Sequence, residues 1–253
     1  GYCLETPLKT DTRLRVISLS EHQGMRAAIN IGLAEAKGKY IMKIDEHCVI
    51  GKGYDKIMTE NCAENWLMIP RRYSLDEENW KRNESRPIQD YHYLSSPQKS
   101  SYGYGIFVVE WPRKTKERFE SKYDIDDTMI FQGSCWFANR KYFMEHVGFL
   151  DDRIETYGSF TGEQHEIGLK YWLGGGEVKV IKTTWYAHLK KTKKYYKKIG
   201  WSNKLFKKDE HTSENNAWLT KHWMNNEEPN MIHSFSWLIE KFQPIPTWET
   251  YKI

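Results

Sequence analysis

Met25, Ala28, Ile29 and Leu33 form an amphipathic stripe that ends at Gly38, and the apolar run Tyr40-Ile41-Met42-Lys43-Ile44 follows almost at once. The first has helical spacing and the second the length of a strand, so a helix hands the chain directly to a sheet. Ahead of them, Arg13 to Leu19 alternates apolar and polar residues like a further strand. Strand, helix, strand reads as a βαβ unit, and it sets the expected class: α/β, with a mixed, mainly parallel sheet flanked by helices.

The pattern continues. A helix is expected from Tyr54 to Asn65, then a short strand over Trp66 to Ile69 closed by Pro70. Arg71 to Ser101 is polar and irregular and reads as an excursion over the sheet, before strand-like runs at Gly105 to Trp111 and Met129 to Ala138. Helices follow at Arg140 to Val147 and Gly162 to Leu173, with a strand at Val178 to Ile181. Two aromatic-rich helices are expected near Ala217 to Met224 and Ile232 to Phe242. The division of the chain is a main domain over residues 1–211 and a helical extension over 212–253.

Composition removes whole classes. The chain has 253 residues, enough for one large domain with a substantial core, and 28% of them are charged. Mean hydropathy is −0.77, and no stretch approaches a membrane span or shows the basic and apolar regions of a signal peptide. Cys3, Cys48, Cys62 and Cys135 are too scattered for a disulfide framework, which fits reduced thiols in a cytoplasm. The net charge of +4 is uneven: lysines crowd the tract from Lys190 to Lys208, where something anionic is expected to approach.

The apolar run stops at Asp45-Glu46-His47-Cys48. A carboxylate and an imidazole two positions apart, where a buried strand opens into a loop, can reach one divalent cation. Alone, the triplet reads more readily as a turn-capping Asp45 beside a surface His47. Ligands collect at the carboxyl ends of parallel strands, however, and two later segments are expected at the same edge. Gly133-Ser134-Cys135-Trp136 combines a glycine with a strand that turns into a helix, and Gly158 to Gln164 opens a helix with two glycines and a carboxylate.

Taken in order, these segments resemble the catalytic domain of polypeptide N-acetylgalactosaminyltransferases and the related family 2 glycosyltransferases of the GT-A fold. Asp45-Glu46-His47-Cys48, preceded by Ala36-Lys37-Gly38, is similar to that family's D-S-H-C metal motif. Gly133 to Phe143 resembles its G-G-L-F-A-I-D-R-K-Y-F segment, and Gly148-Phe149-Leu150-Asp151 its G-G-Y-D. Tyr157 to Gln164 resembles W-G-G-E-N with a short insertion, Trp172 to Gly176 resembles W-Q-C-G-G, and Tyr186 to Lys191 resembles V-G-H-V-F-R. The likeness runs from about Arg13 to Tyr196.

The resemblance implies a metal-dependent transferase that moves a hexose or N-acetylhexosamine from a UDP-sugar to a hydroxyl acceptor, which is a glycan, a polypeptide or a modified DNA base. It implies Asp45, His47 and His188 as ligands of Mn²⁺ or Mg²⁺, with Asp45 also facing the nucleotide sugar. It places Lys190, Lys191 and Tyr195 on the phosphates and Arg26 near the nucleotide, although Arg26 read alone can simply face solvent. Around the donor and acceptor sugars it places Gly133, Ser134, Trp136, Tyr157, Gly162 and Glu163. Inverting relatives carry an Asp after this Glu as general base; here Gln164 stands instead, and an amide cannot take a proton. The pattern is closer to retention, with Glu163 positioning hydroxyls, while His165 and Glu166 are alternative bases.

Two departures shape the expectation. The usual first strand of the nucleotide-binding half is expected to be absent, and a lectin-like C-terminal domain is not expected either. The lysines and aromatics interleaved after Lys190 also allow a second reading, a nucleic-acid-binding module on a degenerate glycosyltransferase scaffold.

Overall fold

The computed structural model describes residues 11–190 and 211–248. Helix α1 (Met25–Glu35) leads into β1 (Tyr40–Ile44) and, across a tight turn, β2 (Cys48–Ile50), followed by α2 (Tyr54–Asn61) and β3 (Trp66–Asp76). The excursion holds short strands β4 (Lys81–Asn83), β5 (His92–Leu94), β6 (Gln98–Ser100), β7 (Gly103–Gly105) and β8 (Val108–Glu110). After α3 (Pro112–Glu117) come β9 (Ile125–Asp127), β10 (Cys135–Asn139), α4 (Arg140–His146), α5 (Glu163–Leu173), β11 (Glu177–His188), α6 (Thr212–Met224) and α7 (Phe235–Phe242).

The main sheet runs β1-β10-β3-β11-β2, with β4 on β3 and β9 on β11. The α/β class and the mixed sheet are as the sequence predicts, but the core is not largely parallel. β3 and β11 are the parallel pair, and β1 with β10, β10 with β3 and β11 with β2 are antiparallel. The reason lies in strand length. The sequence marks short apolar runs at 66–69 and 178–181, whereas β3 continues through Pro70 to Asp76 and β11 to His188. β11 shifts register between Ile181 and Trp185, beside Pro70 and Arg71, so the proline's missing donor falls where the ladder is already interrupted.

The strand expected at Arg13 to Leu19 is not formed. Leu14, Val16, Ile17 and Leu19 are exposed, and among the described residues no strand pairs with that segment, so its alternation has no sheet face to bury against.

Local rules account for the helices that carry the site. Asn139 caps α4, its Oδ1 accepting from the Tyr142 amide, and Ser234 caps α7 by accepting from the Trp237 amide. Helix α5 is buried on nearly every side, and polar Glu163, His165 and Glu166 lie inside with Ile167, Leu169, Trp172 and Leu173. Trp223 of α6 and Phe235, Leu238, Ile239 and Phe242 of α7 join the same apolar core as Leu67, Trp136 and Trp172. Among the described residues no helix is long and apolar enough to cross a membrane.

Candidate active site

Asp45 is the first residue beyond β1, and its amide donates to the Ser134 carbonyl at 3.0 Å, which ties the strand end to the segment before β10. His47 lies in the turn to β2, where its carbonyl accepts from the Leu189 amide at 3.1 Å. His188 ends β11 opposite Cys48 of β2. Sheet pairing therefore brings His188 to two residues, Asp45 and His47, that lie far from it in the sequence. His188 Nε2 is 3.3 Å and His47 Nε2 3.9 Å from Asp45 Oδ2, and the two imidazole rings are 4.6 Å apart.

One ligand atom from each of Asp45, His47 and His188 lies within 4.8 Å of the others. Two imidazoles and a carboxylate suit a borderline or hard divalent cation, with room for water or phosphate oxygens in its remaining positions. The residues present fit such an ion. Burial pushes the Asp45 carboxyl up, but the His188 hydrogen bond and the Lys43 ammonium outweigh it and hold the group below its ordinary value. Burial and the nearby Arg72 charge hold His188 below its own, against the pull of Asp45. Both shifts favour the charge states that a cation needs, an ionised Asp45 and a neutral His188.

Lys43 is the site residue that sequence reasoning missed. Its Nζ donates to Asp45 Oδ1 at 2.7 Å and to the Gly133 carbonyl, and it lies 3.4 Å from Glu163 Oε2. With Oδ1 held there, Oδ2 of Asp45 is left facing the histidines. Burial opposes the ammonium, yet Glu163 and Asp45 raise it above the ordinary lysine value. The signal was present: a lysine inside an apolar strand, two residues before Asp45 and so on the same face.

Glu163 is 2% exposed at the start of α5, and its Oε1 accepts from Trp136 Nε1 at 2.9 Å. Burial raises its carboxyl, partly offset by Lys43 and Trp136. A Cβ on Gly133 would stand 2.7 Å from Glu163 Oε2 and 3.5 Å from Gln164 Oε1, so glycine is what allows this loop to approach the helix. Ser134 Oγ meets Tyr186 OH at 2.9 Å, and Trp136 stacks on Phe143 at 5.1 Å. Gly133, Ser134, Trp136, Glu163 and Gln164 therefore surround one place, next to the Asp45 and histidine cluster.

The other candidates are placed differently. Arg26 is 0% exposed; its Nε and Nη1 donate to the carbonyls of Asp151 and Thr161 at 2.7 and 2.8 Å, and its Nη2 is paired with Glu166. It is enclosed, with its donors directed to groups inside the protein. Tyr157, 2% exposed, lies under the Arg26 guanidinium and accepts from Trp223 Nε1, which makes it support for the helix start. Gly162 takes a left-handed φ of 68° as the cap of α5, where a Cβ would meet Tyr157. His165 is buried with Nε2 3.1 Å from the Ile106 carbonyl, and burial lowers it to about 4. Glu166 is held by Arg26 and Lys170. Both alternative bases are thus buried among partners inside the protein. Lys190 is exposed, and Lys191 and Tyr195 lie outside the described residues.

The family model described as "Glycosyl transferase family 2" matches residues 4–147. Among curated proteins, the chain is 25% identical over 193 residues to polypeptide N-acetylgalactosaminyltransferase 3 of Mus musculus, across 75% of this chain and 29% of that protein. It is 26% identical over 222 residues to a probable N-acetylgalactosaminyltransferase 9 of Caenorhabditis elegans, across 85% of this chain and 35% of that one. The fold is similar to the crystal structure of GalNAc-T7 with UDP, GalNAc and Mn²⁺, with a TM-score of 0.61 and 18% identity over 90% of this chain and 41% of that one. The chain thus spans well under half the length of these relatives.

Proposed function

The chain belongs to glycosyl transferase family 2, and on that premise we propose that it is a metal-dependent glycosyltransferase, taking a sugar from a UDP-sugar and transferring it to a hydroxyl acceptor. The observation that carries this reading is the meeting of Asp45, His47 and His188 within 4.8 Å. Those three residues would hold Mn²⁺, or Mg²⁺ in its place. The bound ion would neutralise charge that grows on the leaving diphosphate.

The protein's own residues do the rest. Lys43 turns one oxygen of Asp45 away from the ligand cluster and bridges to Glu163. Glu163, fixed by Trp136 and Lys43, is a positioning group for sugar hydroxyls: both oxygens already have donors, and its burial makes it a poor home for a full charge. With the Gln164 amide following it in place of a carboxylate, and with His165 and Glu166 enclosed, transfer with retention is the stereochemistry we propose. The acceptor is a glycan, a polypeptide or a hydroxymethylated base in DNA.

Turnover of a panel of UDP-sugars in Mn²⁺, followed as UDP release with wild type and Asp45→Ala, tests the reading. Release by wild type alone supports it. Equal release by both, or none by either with any sugar, counts against it.

A further inference from the structure

Two adjacent arginines on β3 are satisfied in opposite ways. Arg71 makes a forked pair with Asp90, at 3.1 and 2.8 Å from Nε and Nη2 to Oδ2. Arg72 points to the other face of the strand, and among the described residues no carboxylate is ion-paired with it. Its Nη2 instead lies 3.2 Å from Nδ1 of His188, and its Nε is buried without a hydrogen-bond partner. Glu110, close enough to feel the Arg72 charge, is occupied by Gln89 at 2.9 Å.

A guanidinium has only donors, so Nδ1 of His188 must be the acceptor, and the ring's hydrogen then sits on Nε2, toward Asp45 Oδ2 at 3.3 Å. That arrangement gives both ring nitrogens of His188 a partner without an ion. It is also incompatible with one. To hold a cation, Nε2 must present its lone pair, the hydrogen must move to Nδ1, and two donors would then face each other across the 3.2 Å contact. Arg72 has to leave His188 when the ion arrives. Its planar fork is then free beside a divalent cation, where an anion's oxygens gather.

We propose that Arg72 is a metal-released anion clamp: it occupies His188 while the site is empty, and on metal binding it turns to the diphosphate oxygens, so that the cation and the nucleoside diphosphate bind as a pair. This rests on the metal-site reading above. The device predicts opposite signs for one substitution, which a merely structural arginine would not produce.

The test is Mn²⁺ titration, read by the electron paramagnetic resonance of the free ion, with and without UDP, for wild type, Arg72→Met and Arg72→Lys, each checked for an unchanged circular dichroism spectrum. For wild type, UDP tightens Mn²⁺ binding by about tenfold or more, the scale of one or two charge-assisted hydrogen bonds. Arg72→Met binds Mn²⁺ alone at least as tightly as wild type, because the competitor for His188 is gone, but retains no more than about a third of the UDP enhancement. Arg72→Lys, a point charge without the fork, falls between them and serves if the methionine variant does not fold. Equal enhancement in all three proteins overturns the clamp while leaving the metal site standing. Failure of wild type to bind Mn²⁺ at all overturns the metal site and the clamp together.

Discussion

Lys43 Nζ stands between two carboxylates, 2.7 Å from Asp45 Oδ1 and 3.4 Å from Glu163 Oε2, and so joins the end of β1 to the start of α5. Replacing it by methionine leaves two largely enclosed acids facing each other. Lys43→Met is expected to lose about 3 kcal/mol of stability near neutral pH, the usual cost of stripping one partner from a buried pair. The loss should shrink as pH falls and the two acids, without the ammonium between them, take up protons. Urea unfolding at several pH values measures it, and a pH-independent loss would contradict the charge argument.

Trp136 offers a cleaner probe of Glu163. Trp136→Phe keeps an aromatic ring against Phe143 but removes the Nε1 donor to Oε1. The expected cost is about 1–3 kcal/mol, that of a buried acceptor left unsatisfied. UDP-sugar turnover should fall with it, with Mn²⁺ affinity unchanged, since no metal ligand is touched.

At Gly133 the argument is steric. An alanine Cβ would sit 2.7 Å from Glu163 Oε2, and that carboxylate would have to move. Gly133→Ala should fold, and a shift of that order should lower turnover by about 100-fold. Wild-type rates in this variant would show that the position of Glu163 is unimportant.

The Arg26 and Glu166 pair is wholly enclosed, at 0% and 1% side-chain exposure. Arg26→Met takes one of two cationic partners from the Glu166 carboxylate and leaves two carbonyls without their donor, and is expected to cost about 3 kcal/mol in chemical denaturation. If Arg26 lay on the nucleotide instead, the variant would keep its stability and lose UDP binding.

Two buried histidines set the acid limit. Burial lowers His165 to about 4 and His92 to about 3, from an ordinary 6.5. As pH falls below about 6.5, the unfolded chain takes up protons that the folded protein refuses, so stability is full above that value and declines on the way to pH 4. His165→Gln should flatten the decline, as seen in melting temperature against pH.

How much of this was legible in the sequence depends on how local each signal is. Asp45 and His47 sit together on a strand end, and β1 and α1 follow from period alone. His188 needed the order of several motifs. Arg72 was not legible, because only the parallel register of β3 and β11 brings it beside His188. Arg26 was misplaced for the same reason: the chain marks a cation on α1, but Glu166, which faces it, is on α5. The strand directions were not legible, because the short apolar runs at 66–69 and 178–181 mark strand positions alone.

The irregularity in β11 between Ile181 and Trp185 carries a consequence for any lengthening or shortening of this chain. Side chains alternate across a strand, so removing a single residue from 182–184 would turn everything beyond it to the opposite side of the sheet. Such a deletion would leave the interior upstream intact while aiming His188 away from Asp45. The cation site is therefore indexed by a count of residues as much as by their identity, and an alignment that slips one place here would assign the wrong ligand.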